Sequence, residues 1–254
     1  MRILWNSKTG MQAQQDKMDL ISNNMANMET DGYKRADASF KDLIYEKIAK
    51  NGVPVSTSGN ALSAVNGTGS ALGQSSRSFK QGNLKETGIG TDLAIDGNGF
   101  FQVKTPEGSI AYKRGGKFSL DKVGNLSDDN GDILQIQYIN NSKINSSSII
   151  IDTDGNLYSE DNGRKIDIGK INIYDFKDKS VLSSMGNDLF SAPAGDETIS
   201  QDFSIKQGYL ELSNVDISKE MTDLILAQRA FELSSKGLKT ADDMMSIANN
   251  LTGK

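Results

Sequence analysis

Two residue types that carry much of protein chemistry are missing from this chain. Among its 254 residues there is no cysteine and no histidine. Without cysteine there is no disulfide framework and no thiolate metal site, and the redox compartment is left open. Without histidine, Ser-His-Asp and Cys-His nucleophile systems and the usual zinc and iron sites drop out. Proline occurs three times and tryptophan once, and aromatic residues make up 7%. No apolar run approaches the roughly 20 residues that span a bilayer. Positive charge is in deficit, 28 Lys and Arg against 33 Asp and Glu, with a net charge of −5 and a pI near 4.9. That leaves no electrostatic footprint for nucleic acid or an anionic membrane. The opening Ile3-Leu4-Trp5 runs at once into Asn6, Ser7 and Lys8, which is not the pattern of a cleaved secretory signal. Apolar residues are scarce for one large core, at 36% with mean hydropathy −0.46. Much of the chain is therefore expected to be wet, or to depend on partners.

What is present is order at the two ends. From about Val215 to Leu251 one seam recurs: Leu224, Ala227, Phe231, Ser234, Leu238, Ala241, Met245 and Ala248. The steps alternate three and four, and large apolar residues alternate with small ones. A helix needs this 3.5-residue period to keep one stripe against a partner helix. Ser213 and Asp216 have capping-box spacing before it. At about 1.5 Å per residue the helix would be roughly 50 Å long. Gly237 should cost it about 1 kcal/mol relative to Ala and reads as a close-contact or bending point. The first 28 residues repeat the pattern: Leu4, Ser7, Met11, Gln14, Met18, Ile21, Met25 and Met28. Methionine dominates there, a side chain that adapts to irregular neighbours. A coiled-coil pairing of the two ends would require matched seams of this kind. The residues assigned to self-assembly are accordingly Leu4, Met11, Met18, Ile21, Met25, Leu224, Phe231, Leu238 and Met245.

Between the helices the composition changes twice. Residues 36–46 are short, charged and amphipathic, and 51–76 are rich in Gly, Ser, Asn and Thr, which is linker composition. From 77 to about 206 short apolar runs alternate with Asp-Gly, Asn-Gly and Gly-Asn pairs, the signature of an antiparallel β domain. Ile171 and Ile173 alternate with polar neighbours, as on a half-buried strand. The expected class is α+β: long N- and C-terminal α-helices pairing as a coiled coil, an extended linker and a central antiparallel β-rich domain. The expected boundaries are 1–33 with 213–254 for the helical assembly domain, 34–76 for the linker and 77–212 for the β-rich domain.

Catalytic and ligand-binding patterns find little support. Gly97-Asn98-Gly99 lacks the third glycine and following helix of a dinucleotide fingerprint and reads as a hairpin turn. Asp152, Asp154 and Asn156 have the opening spacing of a calcium loop, but Leu157 stands where that loop needs glycine, so a turn is expected. Carboxylates are plentiful, yet nothing marks two of them as a hydrolase pair. No cofactor, metal, catalytic residue or small-molecule substrate is expected.

The string Asn23-Asn24-Met25-Ala26-Asn27, then Thr30, then Gly32-Tyr33-Lys34, closes the first helix in a tight turn, with Gly32 suited to positive φ. This ordered string resembles the N-terminal signature of the axial proteins of the bacterial flagellum, the rod and hook subunits. Thr91 to Val103 and Tyr112 to Asp121 with Gly124-Asn125-Leu126 resemble that family's β-domain strand-turn-strand and next hairpin. Gln207-Gly208-Tyr209-Leu210-Glu211-Leu212-Ser213-Asn214-Val215, Gln228-Arg229-Ala230-Phe231-Glu232 and Ser234-Ser235-Lys236 resemble its C-terminal box. The resemblance implies a rod subunit that polymerises helically into a hollow shaft, transmitting torque from motor to hook and letting exported subunits pass. It marks Asn27, Thr30, Gly32 and Tyr33 as the family-motif turn. It implies as partners further copies of the chain, other rod proteins and hook subunits, the flagellar export apparatus and ring proteins around the rod. The implied location is the basal body, reached without a cleaved signal peptide, with an export signal sought between Ile44 and Val55. A second rod protein or a hook subunit is the alternative within the family. A secreted or surface ligand-binding module with oligomerising helices is the alternative outside it.

Overall fold

The computed structural model describes residues 2–43, 45–47, 65–67, 69–139, 149–161, 164–193, 195–200 and 202–252. The segment where an export signal was sought lies for the most part outside these residues. The architecture is α+β, with one helix at each end and antiparallel β structure between. The chain divides into two compact units. A helical unit holds Met1–Met25, Ala36–Ser76 and Ile217–Lys254, and a β unit holds Ala26–Arg35 and Arg77–Asp216. The described strands of the linker thus group with the helices, and the turn after the first helix groups with the β structure. The chain passes between the units four times, after residues 25, 35, 76 and 216.

In the helical unit, α1 spans Arg2–Ala26 and α2 spans Ile217–Thr252. Ser213 is not the cap of α2: its Oγ accepts from Val215 N at 3.3 Å, and the helix begins beyond Asp216. The charged stretch after the first turn is the strand β1 (Ala36–Asp42), followed by β2 (Tyr45–Lys47), β3 (Val65–Gly67) and β4 (Ser70–Arg77). β1 pairs with β4 and β2 with β3, making a ribbon. The ribbon follows α1. Asn24 bonds Ala36, the Lys17 ammonium lies 5.4 Å from the centre of the Phe40 ring, and a β-carbon on Gly69 would collide with Thr9.

The β unit continues with β5 (Leu84–Glu86), β6 (Leu93–Gly97), β7 (Phe100–Lys104), β8 (Ile110–Lys113), β9 (Ser119–Leu120), β10 (Leu126–Ser127), β11 (Ile133–Leu134) and β12 (Ile136–Tyr138). Then come β13 (Ile149–Ile151), β14 (Asn156–Asp161), β15 (Arg164–Ile171), β16 (Ile173–Phe176), β17 (Ser183–Gly186), β18 (Leu189–Ser191), β19 (Glu197–Ile199), β20 (Phe203–Gln207) and β21 (Tyr209–Glu211). The largest sheet runs β17-β18-β8-β7-β11-β10-β9, with β16 bridging β7 to β19. A second sheet runs β12-β15-β14-β13, and β6 pairs with β20 and β5 with β21. Leu93, Ile95, Phe101, Val103, Leu126, Leu157, Ile171 and Ile173, all fully buried, belong to one core. Fully burying such side chains stabilises by about 1.5–3 kcal/mol each. Phe100, Tyr112, Phe176 and Phe190 form a second, aromatic cluster, with rings meeting mostly edge to face.

Two local expectations change. Gly97-Asn98-Gly99 is not a hairpin turn, because β6 pairs with β20 while β7 pairs with β8, β11 and β16. It is a corner where the chain changes sheets. Both glycines have positive φ, and a β-carbon on Gly99 would fall 2.3 Å from Ile173 Cγ2. Ile171 and Ile173 do not share a half-buried strand either. They flank a second corner at Asn172, between β15 and β16, and both are fully buried. The hairpin at Gly124-Asn125-Leu126 forms, joining β9 to β10, with Asp121 N donating to Asn125 O at 2.8 Å. Residues 152–155 form the turn from β13 to β14, and Gly155 supplies the positive φ.

Candidate assembly surface

The seams read from the sequence fall on the least exposed faces of the helices. On α1, Ile21 is buried and Leu4, Met11, Met18 and Met25 are half-buried. On α2, Ala227 and Ala241 are buried, and Leu224, Phe231, Ser234 and Leu238 are half-buried. Met245 is exposed. The two helices meet at three places along these faces. A β-carbon placed on Gly10 would lie 3.7 Å from Ser234 Oγ, and one on Gly237 3.7 Å from Ser7 Oγ. Asn24 Nδ2 donates to Glu220 Oε2 at 3.3 Å. From Ser7 to Asn24 is as many residues as from Gly237 back to Glu220, so all three contacts fall on one antiparallel register. Small residues at the first two places allow the backbones to approach.

α2 also has a second stripe. Leu226, Ala230, Leu233, Gly237, Thr240, Met244, Ile247 and Leu251 again alternate steps of four and three. It lies one residue from the first, a rotation of about 100° around the helix. Its large side chains, Leu226, Leu233, Met244, Ile247 and Leu251, are all 60–76% exposed. Leu226 and Leu233 are thus exposed beside the stripe that faces α1, while Ala230 and Gly237 are half-buried on its edge, and beyond Ala241 the described residues of α2 are exposed on every side; exposed apolar side chains so placed mark an interaction surface. This stripe was legible in the sequence by the same period, and a search that stopped at the first seam misses it.

The family-motif turn has its partners in the β unit. Thr30 Oγ1 donates to Asn27 Oδ1 at 3.3 Å, closing the turn. Gly32 has φ 75°, its N–H donates to Glu211 O at 2.7 Å, and a β-carbon there would fall 2.3 Å from Gly115 N. Both the dihedral and the space require glycine. Tyr33 is buried, with the Arg77 guanidinium 5.4 Å from its ring centre and 5.5 Å from that of Phe190.

The adjacent residues form a buried ion cluster that sequence reasoning did not find. Lys34 Nζ donates to Glu211 Oε1 at 2.7 Å and to Lys80 O at 2.8 Å. Arg114 Nε donates to Glu211 Oε2 at 2.6 Å, and its other nitrogens donate to the carbonyls of Ile95, Gly97 and Gly99. Gly82 N donates to Glu211 Oε1 at 2.8 Å. All three ionic side chains are at most 5% exposed. Burial pushes the Lys34 ammonium below its ordinary range, and the Glu211 carboxylate pulls the other way. Asn214 adds a parallel tie, accepting from Arg35 N at 2.7 Å and donating to Ser78 O and Lys80 O. Segments 32–35, 77–82 and 211–214 are thus bound together. The arrangement holds chain segments in place, and every oxygen of Glu211 already has a protein donor. Among the described residues no group of three or more His, Cys, Asp or Glu is placed to hold a metal ion, and no described helix is long and apolar enough to cross a membrane.

Comparison with known proteins agrees with this geometry. Residues 4–34 match the family model described as flagella basal body rod protein, 94–159 that of the flagellar hook protein FlgE/F/G D1 domain, and 206–251 that of the flagellar basal body rod FlgEFG protein C-terminal region. Flagellar basal-body rod protein FlgG of Borreliella burgdorferi is 36% identical over 263 residues, covering 99% of this chain and 98% of that protein. This chain belongs to the flagellar basal-body rod protein family. FlgG of Agrobacterium fabrum is 39% identical, covering 98% of each chain, and FlgG of Bacillus subtilis is 34% identical, covering 99% of each. As a member of the rod family, the chain is a structural subunit of the flagellar basal body and assembles with other rod and hook components. The family model for the N-terminus covers α1 and the turn through Lys34, and that for the C-terminus takes in Glu211.

Proposed function

We propose that this rod subunit assembles through its terminal helices: α1 and α2 pair as a coiled coil within each copy, and the second stripe of α2 packs against neighbouring copies. Leu4, Met11, Met18, Ile21 and Met25 on α1 and Leu224, Phe231, Leu238 and Met245 on α2 carry the inner seam. Leu226, Leu233, Met244 and Ile247 carry the outer one. A heterologous contact that does not close makes a helical polymer rather than a ring. In that polymer the helices surround a channel for later subunits, and the shaft carries torque from motor to hook. The role proposed is mechanical, with no catalysis and no cofactor. Near-full-length similarity to proteins named FlgG favours the distal rod over the second rod protein or the hook. Export across the inner membrane through the flagellum's own apparatus, without cleavage, completes the reading. Ring proteins around the rod are further partners.

The observation that carries this proposal is the pair Leu226 and Leu233, exposed and seven residues apart beside the stripe that faces α1, with Met244, Ile247 and Leu251 exposed further along α2. Leu233→Asp tests it. Leu233 is 68% exposed, so the free subunit should melt as the wild type does. Polymer formed at high protein concentration, measured by sedimentation and electron microscopy, should disappear. Polymer of normal yield from Leu233→Asp would refute the assignment of this stripe. A straight tube from wild-type protein fits the rod, and a curved one fits the hook alternative.

A further inference from the structure

α2 offers two stripes of equal period, and burial alone does not choose between them. Where α2 runs beside α1, Leu224, Phe231 and Leu238 stand on the stripe that faces α1, and Leu226 and Leu233 on the one left open; beyond Ala241 the described residues of α2 are exposed on every side, Met245 of the first stripe included. Both carry large apolar side chains at the same seven-residue spacing.

We propose that Asn24 and Glu220 make the choice, locking the rotational phase of α2 so that one stripe is spent within the subunit and the other is kept for a second copy. Glu220 extends the inner stripe by one step, four residues before Leu224. Among the described residues of the helical unit, Asn24 and Glu220 are the fully buried polar side chains. The Asn24 amide cannot reorient. Its Oδ1 accepts from Ala36 N at 3.0 Å, and its Nδ2 donates to Ala36 O at 2.8 Å. The same Nδ2 also donates to Glu220 Oε2, so an acceptor is required at that point of α2. Turning α2 by one residue, to bury the open stripe instead, replaces Glu220 with Lys219. An ammonium has donors and no acceptor. It would face the Asn24 N–H with both groups unsatisfied in a buried place, which is costly. A single buried polar pair of this kind is how helix pairs specify one arrangement among several of similar apolar content. Asn24 and Glu220 are positioning residues for assembly.

The inference rests on the pairing of α1 with α2 in the proposed function, and engineered disulfides separate the two. The chain has no native cysteine. Gly10→Cys with Ser234→Cys reports the inner stripe, and Gly10→Cys with Leu233→Cys reports the open one. In the otherwise wild-type monomer the first pair should cross-link under mild oxidant about tenfold or more faster than the second, the ratio expected for one buried hydrogen bond to a charged group. Failure of the first pair to cross-link would refute the helix pairing itself. With Asn24→Leu and Glu220→Leu added, the two rates should converge, and assembly should fall because the open stripe is no longer reliably presented. Glu220→Gln, which keeps an acceptor, should retain the preference, and Glu220→Lys should lose it with Asn24 intact. An unchanged preference in the Leu/Leu and Glu220→Lys variants, in chains whose β unit still melts cooperatively, would overturn the proposal.

Discussion

The two units of this chain use their apolar residues in opposite ways. The β unit encloses them, with Leu93, Ile95, Phe101, Val103, Leu126 and Leu157 all at 0% exposure, and an aromatic cluster besides. The helical unit fully buries only Ala13, Ile21, Ala227 and Ala241 among the described apolar residues, and leaves Leu226, Leu233, Met244 and Ile247 in water. The β unit is a finished object. In the proposed assembly, other copies supply the side that the helical unit leaves open. Low overall hydropathy fits this division, with one full core in the chain and few buried apolar residues among the described part of the helical unit.

The comparison is broken most severely at Glu211. Glu211→Ala leaves Lys34 and Arg114 buried without their carboxylate, and removing one partner of such a cluster typically costs about 3–5 kcal/mol. Chemical denaturation followed by β-sheet circular dichroism should show a loss of that size. Retention of wild-type stability would mean that the cluster rearranges around water. A smaller effect is expected at Tyr112, whose hydroxyl donates to the Glu197 carboxylate and accepts from Gln102 Nε2 at 3.3 Å. Burial, and then the Glu197 hydrogen bond, push this phenol up to about 12, from an ordinary value of 10.0. Between pH 10 and 12 the unfolded chain releases the proton while the folded chain keeps it, so stability falls as pH rises through that window. Tyr112→Phe should flatten that part of the stability–pH curve and leave the helical unit unaffected. The smallest effect sharpens the comparison from the other side. A β-carbon at Gly237 would meet Ser7 Oγ at an ordinary 3.7 Å. Gly237→Ala should therefore gain up to about 1 kcal/mol of helix stability. Differential scanning calorimetry would register it in the helical transition, with the β transition unmoved.

How much of this was legible beforehand follows the same line. The two helices were readable because helical periodicity is a local property, and Leu224, Phe231 and Leu238 are half-buried on α2. The N-terminal turn was readable because Asn, Thr and Gly announce turns. What escaped was whatever depends on partners far along the chain. Glu211 is 177 residues from Lys34 and 97 from Arg114. Asn24 is 196 residues from Glu220. No pattern in a short window links such pairs. The corners at Gly97–Gly99 and Asn172 escaped for a related reason. Turn residues announce that a strand ends, but whether the next strand lies in the same sheet is decided by the competition of all the strands for core space.

The four passages of the chain between the units have a mechanical corollary. Two bodies joined by one peptide strand can swivel about its single bonds, and any wrench on one reaches the other through a lone thread. Here the chain crosses four times, and within the β unit the segments at residues 35, 78 and 214 next to three of those crossings are lashed together by hydrogen bonds.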